Sequence, residues 1–185
     1  LIMRESSNIS PERDRIESKR IESKMVEKKL FGYPTFDENG EEILSTYDNE
    51  YRDMLMDVRV YRMAAGSTRE FCREGEEIAV LLLSGEVTFK WAEGEKTVSR
   101  KDVFTEGPWA LHVSGGKKIT VTAVKDTEIL VQCTQNEKSF ASRLYSPEDA
   151  PWAYSGAKGK FGDTANRQVN TIFDHDICPE SNMVL

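Results

Sequence analysis

Three side chains near the middle of the chain are of types that bind metal ions. Cys72 and Glu74 stand two residues apart in a segment predicted to be extended, so their side chains would share one face of a strand. His112 follows in a later predicted strand, and thiolate, carboxylate and imidazole are all competent metal ligands. The three match no fixed ligand spacing, so the alternative is that Cys72 packs as a small hydrophobic side chain. We favour this alternative and predict neither a metal site nor a catalytic residue.

The same three residues, together with Trp109, define a predicted ligand pocket. It would lie inside a barrel, suit a small polar ligand, and be lined by Cys72, Glu74, Trp109 and His112. The second histidine, His175, lies between Asp174 and Asp176 and is predicted to be a surface group.

Other short motifs are interpreted as turns. Ser84-Gly85 lacks the Gly-x-Ser-x-Gly context of a nucleophile elbow. Gly115-Gly116-Lys117-Lys118 resembles a phosphate loop in composition, but the Ser or Thr after the lysine and the helix are absent. Neither motif predicts catalysis.

These residues lie in a region whose pattern is typical of β-strands. From Met54 to Cys133, short alternating or continuous apolar runs are separated by glycine and charged turns. The run Ile78 to Leu83 is wholly apolar and predicts a strand covered on both faces. Val87 to Trp91 predicts one arm of a hairpin, and the stretches 119–124 and 128–133 predict a second hairpin. The sequence therefore predicts an all-β sandwich or small barrel.

The chain divides into three predicted segments. Residues 1–30 form a charged arm predicted to be helical, since Ser10-Pro11 is a good helix start. Its repeat, residues 15–19 and 20–24, has no broad apolar face. Residues 31–135 form the barrel, and residues 136–185, rich in aromatics, form an ordered strap over it.

Composition excludes several classes of protein. The 185 residues carry a net charge of −7, which disfavours nucleic acid as a partner. No apolar run approaches the ~20 residues that cross a bilayer, so no membrane role is expected. The three cysteines are widely spaced and form no Cys-x-x-Cys pair, which favours reduced thiols and a cytoplasmic location.

The barrel region resembles a cupin. Gly66, Cys72, Glu74 and Gly85 follow the order of the first cupin motif, but the two histidines of that motif are missing. The stretch 102–112 loosely resembles the second motif, with its histidine one residue out of register. The resemblance implies a cupin-type double-stranded β-helix, or jelly-roll barrel, without the usual metal site.

Over residues 54–185 the order of features resembles the N-terminal half of the bicupin sugar isomerases, 5-deoxy-glucuronate isomerase of inositol breakdown and 5-keto-4-deoxyuronate isomerase. The segments that carry it are residues 63–67, 75–85, 102–104, and Gly162 followed by Asn166-Arg167-Gln168-Val169-Asn170. The resemblance implies that the catalytic divalent metal belongs to a second barrel, so no cofactor is expected here. Met183-Val184-Leu185 lies where that barrel's first strand would start. The resemblance thus implies either a piece of a longer protein or a chain whose catalytic half is encoded elsewhere.

Two functional hypotheses follow. In the first, the chain is the metal-free N-terminal cupin domain of a sugar-acid aldose–ketose isomerase, with a structural or assembly role. Its partners would be a second cupin domain or another copy of itself, with a homodimer as the default. In the second, it is a stand-alone, non-catalytic cupin that binds a small polar ligand such as a sugar acid. The sequence leaves open whether the chain is itself an enzyme.

Overall fold

The longest strand organises the molecule. The computed structural model describes residues 35–156 and 158–185, so the predicted helical arm at residues 1–30 lies outside the described residues. β4 runs from Glu76 to Trp91 and belongs to two sheets. Its first half pairs with β8 (Thr127–Gln135) and β6 (Trp109–Val113). Its second half pairs with β5 (Gly94–Arg100) and β7 (Ile119–Ala123).

The bend in β4 lies at Ser84-Gly85, which the sequence analysis interpreted as a turn. That interpretation is wrong, because the strand continues through a register shift between Leu82 and Ser84. Gly85 has φ +104°, and a side chain there would overlap the Thr127 hydroxyl. Glycine therefore lets one strand pass from one sheet into the other, as a β-bulge commonly does.

Eleven strands are formed by the described residues. They are β1 (Glu41–Ser45), β2 (Asp57–Met63), β3 (Thr68–Phe71), β4 (Glu76–Trp91), β5 (Gly94–Arg100), β6 (Trp109–Val113), β7 (Ile119–Ala123), β8 (Thr127–Gln135), β9 (Arg143–Tyr145), β10 (Ala153–Ser155) and β11 (Arg167–Val169). Two short 3-10 turns lie at Arg52–Met54 and Phe161–Asp163. None of the helices in this part of the chain is long and apolar enough to cross a membrane.

Nine of these strands form two antiparallel layers joined by β4, and β10 and β11 pair with each other in a separate two-stranded sheet. One layer has the order β1-β2-β8-β4-β6-β9, and the other contains β3, β7, β4 and β5. The hairpin of β4 and β5 forms as predicted. The predicted hairpin of β7 and β8 does not form, because β7 pairs with β3 and β4 while β8 pairs with β2 and β4. The turn between them thus carries the chain from one layer to the other.

The space between the layers is filled by apolar side chains. Alternate residues of the strands point into this space. They include Tyr61, Ile78, Val80, Leu82, Phe89, Leu111, Val121, Ile129 and Cys133. Leu82 and Phe89 are fully buried, and burying such a side chain stabilises a fold by about 1.5–3 kcal/mol. The all-β prediction is confirmed.

The outer face of the larger layer is covered by the end of the chain. Phe173 and Met183 pack there against Ala79 and Ala110, in a second apolar cluster. Backbone hydrogen bonds join Phe173 to Leu185 in both directions, at 3.1 and 3.2 Å. The last residues thus form a closed loop against the sheet.

Candidate functional site

The segment that leads from β3 into β4 presents the opposite face from the one predicted. Arg69, Phe71 and Arg73 turn toward the barrel: the Arg69 guanidinium lies 4.4 Å from the Tyr61 ring centre, and Phe71 packs on the core. Cys72 and Glu74 are exposed on the other side, with the Cys72 thiol 3.7 Å from the Gly116 carbonyl. The prediction that Cys72 and Glu74 face the interior is therefore wrong, since the aromatic ring of Phe71 occupies the core side.

The other two predicted pocket residues lie on opposite faces of β6. Trp109 packs on the core between the layers, with the Lys96 ammonium 4.8 Å from its ring centre. His112 is three residues further along the strand, so it points to the outer face, where it is buried. The structure does not bring Cys72, Glu74, Trp109 and His112 into one pocket, and His175 is exposed.

His112 forms a buried hydrogen bond with Glu77. Its Nε2 donates to Glu77 Oε2 at 2.9 Å, and both side chains are at most 1% exposed. The imidazole stacks on Phe173, with ring centres 4.1 Å apart and an interplanar angle of 4°. Glu77 and Phe173 therefore hold the His112 ring in place, and the ring faces away from the space between the layers.

Glu77 connects the barrel to the C-terminal residues. Its carboxylate also accepts hydrogen bonds from the Ser181 hydroxyl at 2.9 Å and from the Asn182 backbone N–H at 2.6 Å. Burial by itself would raise the pKa of Glu77, but these bonds and the one from His112 hold its pKa below the usual range. The arrangement fixes the loop of residues 172–185 on the sheet.

A second group of charges closes one end of the space between the layers. We call it the Asp57 cluster; it consists of Glu41, Tyr47, Asp57, Arg59, Arg73 and Glu76. Asp57 is 5% exposed and accepts from Arg59 at 2.6 and 2.8 Å and from Arg73 at 2.9 Å. Burial would raise the pKa of Asp57, but the two guanidinium groups lower it.

The cluster and the core below it do not offer a divalent metal a ligand set. The carboxylates of Asp57 and Glu76 are bound by arginines. Burial raises the pKa of the Cys133 thiol to about 12, which disfavours the thiolate. Among the described residues, no group of three His, Cys, Asp or Glu side chains is arranged to hold a metal. A metal site inside this barrel does not fit the residues present.

Beside the cluster, a surface cleft of about 440 Å³ runs along β3. We call it the β3 cleft; it is lined by Tyr61 and by residues 68–73. Sequence reasoning missed both the cluster and the cleft. One feature of the sequence could have revealed the cluster. Asp57 and Arg59 are separated by four and two residues from Tyr61 and by six and four from Met63, so all four side chains lie on the inner face of β2.

Comparisons with known proteins agree with this geometry. The model of the KduI/IolB family matches residues 30–185. Among solved structures, an IolB-like protein from Salmonella typhimurium LT2 has a TM-score of 0.59 at 18% identity, covering 65% of this chain and 45% of its own. The protein Ylba from E. coli has a TM-score of 0.53 at 15% identity, covering 80% of this chain and 55% of its own.

At such identities these structures show a shared fold, and the predicted cupin-type barrel is confirmed. The chain spans about half the length of each of the two structures it resembles. Comparison by sequence with curated proteins finds no match.

Proposed function

Because this chain belongs to the KduI/IolB family, we propose that it is the N-terminal cupin domain of a sugar-acid isomerase resembling 5-deoxy-glucuronate isomerase, with a structural or assembly role. The observation that carries this proposal is the filled interior. Where a catalytic cupin would hold a metal and its substrate, this barrel has packed apolar side chains closed at one end by the Asp57 cluster.

The chemistry of aldose–ketose isomerisation supports the same assignment. A proton moves between adjacent carbons, so a base must lie within hydrogen-bond reach of it. The buried carboxylates of Asp57 and Glu77 are already held by cations and hydrogen bonds, and their pKa values are lowered. Both are poor candidates for the base, and we place the catalytic groups and the divalent metal in a second barrel.

Exposed aromatic side chains support an assembly role. All residues of the paired strands β10 and β11 are exposed to solvent. Tyr154 on β10 and Phe161 in the segment between the strands are 71% and 79% exposed. An isolated two-stranded hairpin is marginally stable in water, and clustered exposed apolar groups are typical of contact surfaces. We propose that a second cupin domain or a second copy of this chain covers the hairpin, with a homodimer as the form expected for this chain.

The catalytic part of the proposal is tested by turnover. The purified chain is incubated with 5-deoxy-glucuronate and added Mn²⁺, Zn²⁺ or Fe²⁺ and followed by NMR, with a two-barrel isomerase of the family as positive control. We expect no turnover and no stoichiometric metal. Metal-dependent turnover that is lost in Glu76→Gln would overturn the non-catalytic assignment.

The assembly part is tested by light scattering after size exclusion. We expect the unmodified chain to be a dimer. The dissociation constant of the dimer should be higher in Tyr154→Ser and in Phe161→Ser than in the unmodified chain. Phe104→Ser is the matched control, since Phe104 is 85% exposed and lies outside the hairpin. A monomer at all concentrations, or equal weakening by all three variants, would contradict this part.

The alternative function, a stand-alone cupin that binds a small polar ligand, is favoured by the β3 cleft, because the interior is lined by packed apolar side chains. In both cases we propose a role in carbohydrate metabolism, inositol breakdown for the isomerase, and a cytoplasmic location. The location is supported by the three free cysteines, which form no disulfide.

A further inference from the structure

We propose that the β3 cleft binds a small carboxylate of the sugar-acid class, with Arg69 as the group that binds the carboxylate. The cleft itself is inferred from geometry, and the choice of a sugar acid rests on the proposed function. The site is distinct from the barrel interior, where cupins hold their ligands.

The cleft exists because β3 is an edge strand. β3 pairs with β7 along one side, and its other side has no strand partner within residues 35–156 and 158–185. Backbone N–H and C=O groups of residues 68–73 therefore lie along the cleft with part of their hydrogen-bonding capacity unused. Such donors and acceptors suit the hydroxyl groups of a sugar, and about 440 Å³ is within the range of small-ligand sites.

Arg69 differs from the two other arginines nearby in its partners. Arg59 and Arg73 are each bound to two carboxylates. Within the described part of the chain, Arg69 donates a hydrogen bond to the Asn39 carbonyl, and no carboxylate lies within salt-bridge distance of its guanidinium. Its positive charge is therefore not neutralised by a direct ion pair.

The orientation of Arg69 also suits a carboxylate. Its guanidinium lies over the Tyr61 ring at 4.4 Å, and an arginine stacked on an aromatic face keeps its N–H groups available at the edge of the plane. Two parallel N–H groups match the two oxygens of a carboxylate. Tyr61 is itself held by its hydroxyl, which donates to Glu41 at 3.2 Å, so the platform is rigid.

The remaining charges of the cleft favour an anion. Arg73 contributes a second cation to the lining, although it is shared with Asp57 and Glu76. The carboxylate of Glu70 is turned to the Lys118 ammonium at 2.6 Å and is neutralised there. Asp37 also interacts electrostatically with Arg69, without a direct ion pair. The lining of the cleft thus carries two guanidinium groups and one paired carboxylate, in a chain whose net charge is −7.

The test is a titration of the ¹⁵N-labelled full chain with D-glucuronate, with D-glucose and acetate in parallel. We expect glucuronate to shift the amide signals of residues 68–73, glucose to shift none, and acetate to bind at least tenfold more weakly. Arg69→Gln should weaken glucuronate binding by about tenfold or more, since it removes the charge-assisted hydrogen bonds to the carboxylate.

Arg143→Gln is the matched control, because Arg143 is an exposed arginine on β9, away from the cleft. Its affinity should stay within about twofold of the unmodified chain. No binding of glucuronate, or equal affinity in Arg69→Gln, would overturn the site, and acetate binding as tight as glucuronate would overturn the sugar-acid assignment. Turnover by the chain would instead contradict the proposed function and leave the binding result unaffected.

Discussion

Asp57 and Glu77 are both buried carboxylates, yet they stabilise different parts of the molecule. Asp57 lies at the end of the space between the layers, where two partly exposed guanidinium groups bind it. Glu77 lies on the outer face, where a fully buried imidazole and two groups from the C-terminal loop bind it. The first closes the barrel and the second attaches the chain end to it, so the two carboxylates should respond differently to substitution.

The largest effect is expected where a buried carboxylate has no partner at all. Leu82 is fully buried in β4, and Leu82→Asp would place an ionisable group among apolar side chains. We expect no folded protein, as judged by circular dichroism and solubility. Leu82→Met, which keeps the volume, should cost less than about 1.5 kcal/mol. Soluble Leu82→Asp protein with a native-like spectrum would show that this strand is not buried as described.

A smaller effect separates the two native carboxylates. Glu77→Ala should lower the free energy of unfolding by about 3–5 kcal/mol, because it leaves His112 and the Asn182 N–H buried without an acceptor. Asp57→Ala should cost about 1–3 kcal/mol, because Arg59 and Arg73 keep Glu41 and Glu76 and reach solvent. Urea unfolding measures both. A larger loss of unfolding free energy for Asp57→Ala would show that Asp57 stabilises the fold more than Glu77 does.

The smallest effect is a change in acid sensitivity. Folding lowers the pKa of Glu77 from its ordinary value of 4.5, so in acid the unfolded chain binds more protons than the folded one. The stabilisation is complete above that value and is lost as the pH falls through the lower pKa of the folded protein. We therefore expect the free energy of unfolding to fall less steeply below pH 4.5 in Glu77→Gln than in the unmodified chain.

Glu137→Gln, at an exposed position, serves as the control for this measurement. Its unfolding free energy should follow that of the unmodified chain at every pH. Parallel curves for Glu77→Gln and the unmodified chain would show that Glu77 does not contribute to the acid response.

Much of the fold could be predicted because local patterns determine it. The apolar run of residues 78–83 and the alternation in residues 87–91 predicted two strands and a hairpin with β5. The hairpin is present, and the two predicted strands are the halves of the continuous strand β4. The pairing of β7 could not be predicted in the same way. A polar turn between two strands fits either a hairpin or a crossing between layers, and the choice depends on which distant strands have unpaired edges.

The candidate site was predicted less well than the fold. Alternation shows that Cys72 and Glu74 share a face, as do Arg69, Phe71 and Arg73, but it does not show which face is inside when both sets contain polar groups. The contact between the Phe71 and Tyr61 rings shows that the set with Phe71 faces the inside. The surroundings of His112 were equally hidden, because its partner Glu77 is 35 residues away along the chain. Glu77 in turn binds Ser181, which is 104 residues from it.

The amino-acid sequence by itself determined that this chain is an all-β protein, and its motifs indicated a cupin-type barrel of the KduI/IolB family. These follow from residue periodicity and short motifs, which are local. Only the tertiary structure decided which charges lie inside, what His112 binds, and where a ligand has room. Those depend on contacts between strands far apart in the chain, and burial changes the energy of a charge only once such contacts have formed.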